Sequence, residues 1–338
     1  MGELESVPLS AKFGVGVEKA AYSLDPAVGS AHAFHGQRLF MQGRDRRPVT
    51  LDQCIRLWVA VVFFCIAIPA CGARTVTDEL GREVTAPEHP HRLICLAPNV
   101  VDDVYALGAG ADIVAVTDYV KYPAQARTKP SVGVPLSPSI ETIVSLHPDL
   151  VLGFGEMGNS DVFKRLEQLG IPVFLVAPHG FKDIYRSIAS IGRALNRDEA
   201  SRVLIGRLRA REAAVRQRVS GKPVVSVLMP LWYDPVITIG KHAFITELIE
   251  IAGGHSVTDD LPQEWPQVSL EAVLARKPEG LLLERGSKMS LELLLKRPGW
   301  GSLPAIRNNR IYYTDDRIEI PGPMVFDALE ELASELHP

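Results

Sequence analysis

The feature that most constrains this chain is an internal repeat. Residues 139–152 and residues 269–282 follow one pattern: a serine, an acidic residue two positions later, a short amphipathic stretch, a proline and an apolar run. A serine before an acidic first turn is typical of a helix start, and a short apolar run is typical of a buried strand. A weaker match pairs residues 103–110 with residues 247–254, and both predict an amphipathic helix ended by glycine. The repeats predict two related lobes with a cleft between them.

The order of apolar runs and helical patterns predicts the fold class. The runs lie at residues 93–98, 112–117, 149–154, 171–178, 224–230, 280–284 and 310–315. Their alternation with helical patterns is typical of α/β proteins, so we expect two Rossmann-like lobes with mainly parallel sheets. Residues 181–219 separate the two groups of strands, and their apolar residues recur at helical spacing without a proline. They predict one long, rigid helix between the lobes, or two helices broken near residues 196–198.

These patterns divide the chain into four segments. We expect an N-terminal extension and leader over residues 1–73, a first lobe over 74–180, an inter-lobe helix over 181–220 and a second lobe over 221–338. With 46% apolar and 22% charged residues, the composition is that of a globular protein. The net charge of −4 provides no basic field for a polyanion, so nucleic acid is not an expected partner. We expect a monomer.

The longest uncharged run, residues 57–73, has the character of a leader. It is shorter than the roughly 20 residues that a membrane span requires. Arginines follow Met41 and precede the run, as in the positive region of a secretory signal, so we expect translation to start at Met41. Residues 1–40 show no sustained period. Two interpretations stay open for them: an artefact of an upstream start, or a disordered extension.

Residues 68–72 resemble the lipobox of bacterial lipoproteins, although Pro69 departs from its usual pattern. The resemblance implies acylation of Cys71, which would supply enough alkyl chains for stable anchoring. The alternative is a plain export signal cut nearby. Three of the four cysteines lie in the leader, so Cys95 is the single cysteine of the lobes, and its apolar run predicts a buried thiol without a disulfide.

Two further motifs carry a family resemblance. Residues 114–126 are moderately specific, and residues 265–276, which begin Trp-Pro-Gln-Val-Ser, are strongly specific. With the repeat, they resemble the substrate-binding proteins of bacterial ABC importers, in the class that takes up cobalamin, haem and ferric siderophores. The likeness covers residues 92–335 and is greatest to the cobalamin binders. It implies a periplasmic protein that captures a corrinoid between its lobes and delivers it to a permease dimer with its ATPase, without catalysis or a resident cofactor.

The resemblance also implies a set of ligand contacts. They are Tyr119, Trp265, Trp232, Tyr233, Asp315, Asp316, Pro98 and Asn99. Aromatic rings suit a large flat ligand because they cover its faces with few flexible torsions. Tyr122, in contrast, is expected to cover the edge of the core. Around residues 133–136 this sequence lacks a tryptophan that the cobalamin binders carry, which leaves the identity of the corrinoid open.

Glu141 and Glu271 hold equivalent positions in the repeat. Each follows a serine N-cap, where a carboxylate gains about 0.3–1 kcal/mol from the helix dipole. Capping alone is a sufficient reason for either residue. The resemblance implies a second role, because one such glutamate on each lobe docks with arginines of the dimeric permease in this class. We expect docking, in which charge complementarity sets orientation and on-rate.

Alternative functions differ in how well the sequence supports them. Ferric siderophores and haem stay open, although only Lys121, Lys241 and Arg317 are basic residues on expected cleft loops, which favours a corrinoid over an anionic chelate. The histidines are scattered, so we expect no metal site. A G-x-G-x-x-G pattern at residues 153–158 would suit a dinucleotide enzyme, but no acidic residue ends the next strand and Glu156 would repel a pyrophosphate. We expect no enzyme.

Overall fold

A computed structural model describes residues 72–155, 158, 160–286 and 289–338 of the chain. The described residues all belong to one compact unit, residues 69–338. The leader, its start at Met41, the lipidation candidate Cys71 and Glu156 lie outside the described residues. Within the described part, no helix combines the length and apolar character needed to span a membrane.

The first lobe is a parallel sheet preceded by a hairpin. Strands β1 (Ala73–Thr77) and β2 (Glu83–Pro87) pair antiparallel, and β3 (Leu93–Cys95), β4 (Ile113–Val116), β5 (Leu150–Phe154) and β6 (Val173–Val176) form a parallel sheet in the order β4-β3-β5-β6. The helices are α1 (Pro98–Ala106), α2 (Ile140–Ser145) and α3 (Ser160–Gln168). The sheet strands are almost entirely buried, which is why they read as continuous apolar runs. Cys95 is fully buried and free, as expected.

Two helices connect the lobes, α4 (Phe181–Ala194) and α5 (Asp198–Val219). Between them Asn196 adopts a left-handed conformation with φ 55°, which asparagine reaches more readily than most residues. The chain turns there, and α4 packs on α5, with the Tyr185 hydroxyl donating to the Glu212 carboxylate at 2.6 Å. The connection is thus the second alternative, a helix pair, and not one helix over residues 181–220.

The second lobe repeats the parallel sheet and adds a smaller one. Strands β7 (Val225–Leu228), β10 (Gly254–Ser256), β12 (Gly280–Glu284) and β13 (Ile311–Thr314) are parallel in the order β10-β7-β12-β13. Strands β8 (Pro230–Tyr233), β9 (Val236–Thr238) and β11 (Gln267–Val268) form an antiparallel sheet in the order β11-β9-β8. The helices are α6 (Phe244–Ile251), α7 (Leu270–Arg276), α8 (Leu291–Leu295), α9 (Pro304–Arg307) and α10 (Val325–Leu336).

The sequence repeat corresponds to a structural repeat. In the first lobe α2 leads into β5, and in the second lobe α7 leads into β12. Both helices start in the same way: the Ser139 hydroxyl accepts from the Thr142 backbone N–H at 3.1 Å, and the Ser269 hydroxyl accepts from the Ala272 N–H at 3.2 Å. The two serines therefore act as N-caps, and Glu141 and Glu271 lie in equivalent first turns.

The lobes share a continuous buried core beside the connecting helices. Its aromatic centre joins Phe181 and Tyr185 of α4 to Phe326 of α10, with ring centroids 5.0 Å and 5.7 Å from Phe326. Phe181 and Phe326 have no exposed surface. Because α4 follows directly after the first lobe and α10 belongs to the second, this contact fixes the lobes to each other where α4 begins.

Candidate functional site

A cavity of about 770 Å³ lies between the two lobes. Its volume is typical of a site that binds a small-molecule ligand. Its first-lobe wall comes from Phe154, the last residue of β5, and from residues 178–180 after β6. The second-lobe wall comes from the start of α6 and the loop before it, from Trp265, and from residues after β13. The cavity therefore lies at the carboxyl ends of the parallel strands, where open α/β sheets bind their ligands.

Aromatic side chains line this cavity from both lobes. Trp265, predicted as a ligand contact, lines it from the second lobe with 44% of its surface exposed. Phe154 lines it from the first lobe and Phe244 from α6. Phe154 was not among the residues predicted from the sequence, although it ends an apolar run, where a buried strand reaches the sheet edge. The cavity can therefore cover a flat apolar ligand from both sides.

The charged residues of the cavity are mainly acidic. Glu247, Glu264 and Glu319 line it together with one lysine, Lys241. One oxygen of Glu247 accepts from the backbone N–H of Phe181 at 2.9 Å, which ties α6 to the start of α4. Burial raises the pKa of Glu319, and the nearby charge of Asp316 raises it further. This wall favours a neutral or cationic ligand over an anionic one.

Two histidines also line the cavity, one from each lobe. His179 follows β6, and His242 precedes α6. Neither belongs to a metal-binding cluster of the protein's own, because the described residues contain no group of three or more His, Cys, Asp or Glu that could hold an ion. The pair can still offer imidazole nitrogen to a metal carried by a ligand.

The loop after β4 reaches across from the first lobe to the second. The Tyr122 hydroxyl donates to one carboxylate oxygen of Asp316 at 2.9 Å, and the Lys121 ammonium pairs with the other. The hydrogen bond to Asp316 raises the pKa of Tyr122 and also that of Lys121. Tyr122 thus bridges the lobes, a role that its expected place at the core edge did not include. Asp316, a predicted ligand contact, is the acceptor of both bridges.

Tyr119 lies in the same loop, outside the lining of the inter-lobe cavity. The residue is 76% exposed, and its backbone is left-handed with φ 69°. This conformation costs a residue with a Cβ atom about 1–2 kcal/mol. Strain of this kind clusters at binding and catalytic sites, where the surrounding structure maintains it for a function. Tyr119 therefore remains a candidate contact at the loop beside the cleft.

Asp315 forms an ion pair with Arg317 on its own loop. Both of its carboxylate oxygens accept from the Nε of Arg317, at 2.9 Å and 2.8 Å. Burial alone would raise the pKa of Asp315, but the hydrogen bonds and charge of Arg317 outweigh it and lower that pKa. Of the three basic residues expected on cleft loops, only Lys241 lines the cavity. The other two form ion pairs outside its lining: Lys121 with Asp316, and Arg317 with Asp315.

Trp232 and Tyr233 lie on β8, away from the inter-lobe cavity. Their rings stack with centroids 4.8 Å apart, and the guanidinium of Arg297 lies over the Tyr233 ring at 4.3 Å. Tyr233 lines a second cavity of about 370 Å³, together with Glu271 and Arg297. The structure therefore brings Tyr233 together with a predicted docking residue and not with Trp265.

Pro98 and Asn99 begin α1, where it meets the second lobe, and neither lines the cavity. One turn further on, the Asp102 carboxylate accepts from the backbone N–H of Met324 at 2.7 Å. A Cβ atom at Gly322 would lie 2.7 Å from that carboxylate, so the close approach requires glycine. Burial raises the pKa of Asp102 from 3.8 to about 7.

Asp102 should make folding stability depend on pH. Because its pKa is about 7 in the folded protein and 3.8 ordinarily, the folded state binds more protons than the unfolded state between these values. The free energy of unfolding should therefore fall by about 4 kcal/mol as pH rises through this window. Asp102→Asn should remove this part of the slope in urea unfolding at pH 5, 6, 7 and 8.

The matched control is Asp161→Asn, because the side chain of Asp161 is 98% exposed and should leave the slope unchanged. Glu284 also has a pKa raised to about 7, first by burial and then by the charge of Glu319. It contributes equally to the wild type and to both variants, so it cancels in the comparison. An Asp102→Asn variant with the wild-type slope would show that Asp102 is ionised in the folded protein near its ordinary pKa.

Glu141 and Glu271 are exposed at the equivalent ends of the two lobes. Hydrogen bonds from its own backbone N–H and from the Ser269 hydroxyl lower the pKa of Glu271, so this carboxylate is charged at neutral pH. No lysine, arginine or histidine of the described chain forms an ion pair with either glutamate. Each lobe therefore exposes, at this equivalent position, a carboxylate without an ion pair in the described chain.

Two α/β lobes that are joined by helices and enclose a cavity at their strand ends define the class of two-lobed substrate-binding proteins. The sequence places the chain more closely: residues 93–318 match the periplasmic binding protein family, and the chain belongs to that family. Proteins of this family are transport components, so the chain is not an enzyme. The two-lobed parallel α/β fold expected from the sequence is confirmed.

Relatives in this family differ in what they bind. The chain is 26% identical over 307 residues to YvrC of Bacillus subtilis, an uncharacterized ABC transporter substrate-binding lipoprotein. The alignment covers 83% of this chain and 96% of YvrC. The periplasmic vitamin B12 binding protein BtuF of Vibrio cholerae superposes with a TM-score of 0.63 at 25% identity, over 73% of this chain and 96% of its own. The periplasmic heme-binding protein RhuT of Roseiflexus sp. RS-1 superposes with a TM-score of 0.68 at 27% identity, over 73% of this chain and 98% of its own.

Proposed function

We propose that this protein captures a corrinoid, cobalamin or a close analogue, in the inter-lobe cavity and delivers it to an ABC permease. The charge of the cavity wall is the observation that carries this proposal, because three glutamates and one lysine line it. Corrinoids present amide side chains and carry little or no negative charge. Haem carries two carboxylates and many ferric siderophores are anionic, so this wall would repel them.

The shape and lining of the cavity support the same ligand. Trp265 and Phe154 supply one ring from each lobe, which suits a macrocycle held between two faces. Tyr119 and Asp316 are the further contacts that we propose, since both lie on loops at the lobe-to-lobe boundary. Asp316 can exchange its bonds to Tyr122 and Lys121 for an amide of the ligand, which would couple capture to release of that bridge.

Haem is the second candidate, and one observation favours it. His179 and His242 line the cavity from opposite lobes, and an imidazole is a good axial ligand for the iron of a haem. The acidic wall argues against this candidate, since it would face the haem carboxylates. The two candidates therefore predict different behaviour of the same two histidines.

Titration of the mature chain with cyanocobalamin, cobinamide, haemin and an anionic ferric tris-catecholate tests the proposal. We expect the two corrinoids to quench tryptophan fluorescence at micromolar concentration or below, and the other two ligands to bind at least about 100-fold more weakly. His242→Ala should leave corrinoid binding unchanged. Haemin that binds more tightly than the corrinoids, with a Soret band that shifts in His242→Ala, would instead establish haem as the ligand.

Delivery of the ligand requires a permease as partner and a location next to the membrane. We propose that Glu141 and Glu271 pair with arginines on the two halves of a permease dimer, which works with its ATPase. The protein would act outside the cytoplasmic membrane, anchored by acylated Cys71, as a monomer. A lipoprotein among the relatives and the lipobox-like residues 68–72 support the anchor. No resident cofactor or metal is needed for this role.

A further inference from the structure

We propose that the permease-docking surface of the second lobe includes the pocket beside Glu271, and that this pocket takes a permease loop carrying both an arginine and a carboxylate. The inference rests on the proposed docking of Glu271. It assigns Tyr233 and Arg297 to recognition of the permease, and it removes Tyr233 from the ligand site.

The pocket is formed by residues of the second lobe. Its volume is about 370 Å³, and three segments line it: the turn from β8 to β9, the start of α7 and residues 297–300. Trp300 lines it and is 1% exposed, so a rigid buried side chain supports it. No residue is shared between its lining and that of the inter-lobe cavity. A ligand in the cleft therefore does not occupy it.

Three charged residues line the pocket, the acidic Asp234 and Glu271 and the basic Arg297. Glu271 and Arg297 both line it, yet no ion pair within the described chain involves either side chain. Arg297 is held instead by Tyr233, whose ring lies 4.3 Å from the guanidinium and whose hydroxyl accepts from it at 3.0 Å. Stacking on a ring orients a guanidinium and leaves donors free for a carboxylate.

This charge pattern specifies the occupant. A protein segment with an arginine would pair with Glu271, and an acidic residue on the same segment would pair with Arg297. The apolar walls from Leu270 and Pro298 suit the aliphatic part of an arginine side chain. The three-stranded antiparallel sheet that forms one wall has no counterpart among the described residues of the first lobe, whose antiparallel pairing is the β1–β2 hairpin. The two lobes would therefore contact the permease differently.

Site-specific photo-crosslinking in the native host tests the surface directly. A photoreactive residue is placed at Pro298 in the pocket, at Val144 beside Glu141, and at Val203 on α5, which is 62% exposed and serves as the negative control. We expect adducts from positions 298 and 144, and none from 203, with mass spectrometry identifying a membrane-spanning subunit of an ABC importer.

The other outcomes separate this inference from the proposed function. An adduct from position 144 without one from 298 overturns the pocket and leaves docking by the glutamates intact. No adduct from either position overturns both. An adduct from 298 to a second copy of this chain overturns the pocket as a permease site.

Uptake of radiolabelled cyanocobalamin provides the functional measurement. Arg297→Glu should lower uptake by about tenfold or more, because it places like charges where the loop carries its carboxylate, while Arg297→Lys should lower it by about threefold. Lys296→Glu is the matched control, since Lys296 does not line the pocket. Affinity for cyanocobalamin and the melting temperature should stay unchanged in all three.

Wild-type uptake in a folded Arg297→Glu variant would overturn the inference. A wild type that takes up no cyanocobalamin would contradict the corrinoid proposal, and the adducts then decide the docking surface independently of the ligand.

Discussion

Replacing both Glu141 and Glu271 with alanine should lower uptake of the transported ligand by about 100-fold or more, with no change in ligand affinity. Both carboxylates are exposed at equivalent helix starts, and neither forms an ion pair within the described chain. In the proposed docking, loss of both removes one charged contact from each half of the complex. Uptake into cells and equilibrium binding to the purified protein are the two measurements.

Two controls separate docking from helix capping. Glu141→Gln plus Glu271→Gln removes the charges but retains the shape of each side chain, so uptake should fall as it does with alanine. Glu83→Ala removes an exposed carboxylate from the β2 strand and should leave uptake unchanged. Loss of the dipole interaction should cost only about 0.3–1 kcal/mol per glutamate, too little to unfold the protein. Unchanged uptake in the double alanine variant would leave capping as the sole role of these residues.

Seven of the eight strands of the parallel sheets could be predicted, because a strand buried on both faces has an apolar sequence, whereas β10 (Gly254–Ser256) has no apolar run. Every apolar run of the two lobes became a strand, since a strand covered on both faces needs no polar residues. The repeat was readable for a related reason: a capped helix followed by a buried strand constrains both composition and spacing. The broken connection at Asn196 was one of two predicted alternatives, because a residue that tolerates a left-handed backbone permits a break without requiring one.

The antiparallel sheet could not be predicted, and this had consequences for the site. Its strands are only two to four residues long, too short to leave a periodic pattern in the sequence. Trp232 and Tyr233 on β8 were therefore treated as loop aromatics beside the ligand. Tyr233 lines the pocket of Glu271 instead, with its ring stacked on that of Trp232.

Contacts between the lobes were also beyond sequence reasoning. Tyr122 meets Asp316 across 194 positions, and Met324 meets Asp102 across 222. Such pairs leave no periodic pattern, because each residue alone reads as an ordinary polar group near a strand or helix end. The Met324–Asp102 contact and the Phe181–Phe326 contact oppose separation of the lobes. We therefore expect release of the ligand to need the docked permease, which can break these contacts by binding the separated lobes more tightly.

Trp265→Ala should weaken corrinoid binding about 100-fold, the second large effect expected of this protein. The indole lines the inter-lobe cavity and is the ring proposed to cover one face of the macrocycle. Since 44% of its surface is exposed, its removal should cost little folding stability, and the loss should appear in the dissociation constant for cyanocobalamin. Titration calorimetry is the suitable measurement, because the substitution itself changes the tryptophan fluorescence.

Trp232→Ala is the matched control for this experiment. Its indole is 36% exposed, comparable to that of Trp265, but it stacks on Tyr233 and does not line the cavity. Its loss should leave the dissociation constant unchanged. Trp265→Phe should retain most of the affinity, because a smaller ring still covers part of the macrocycle face. Equal losses in the two alanine variants would mean that the ligand lies nearer to β8 than to the inter-lobe cavity, and that the proposed ligand site is wrong.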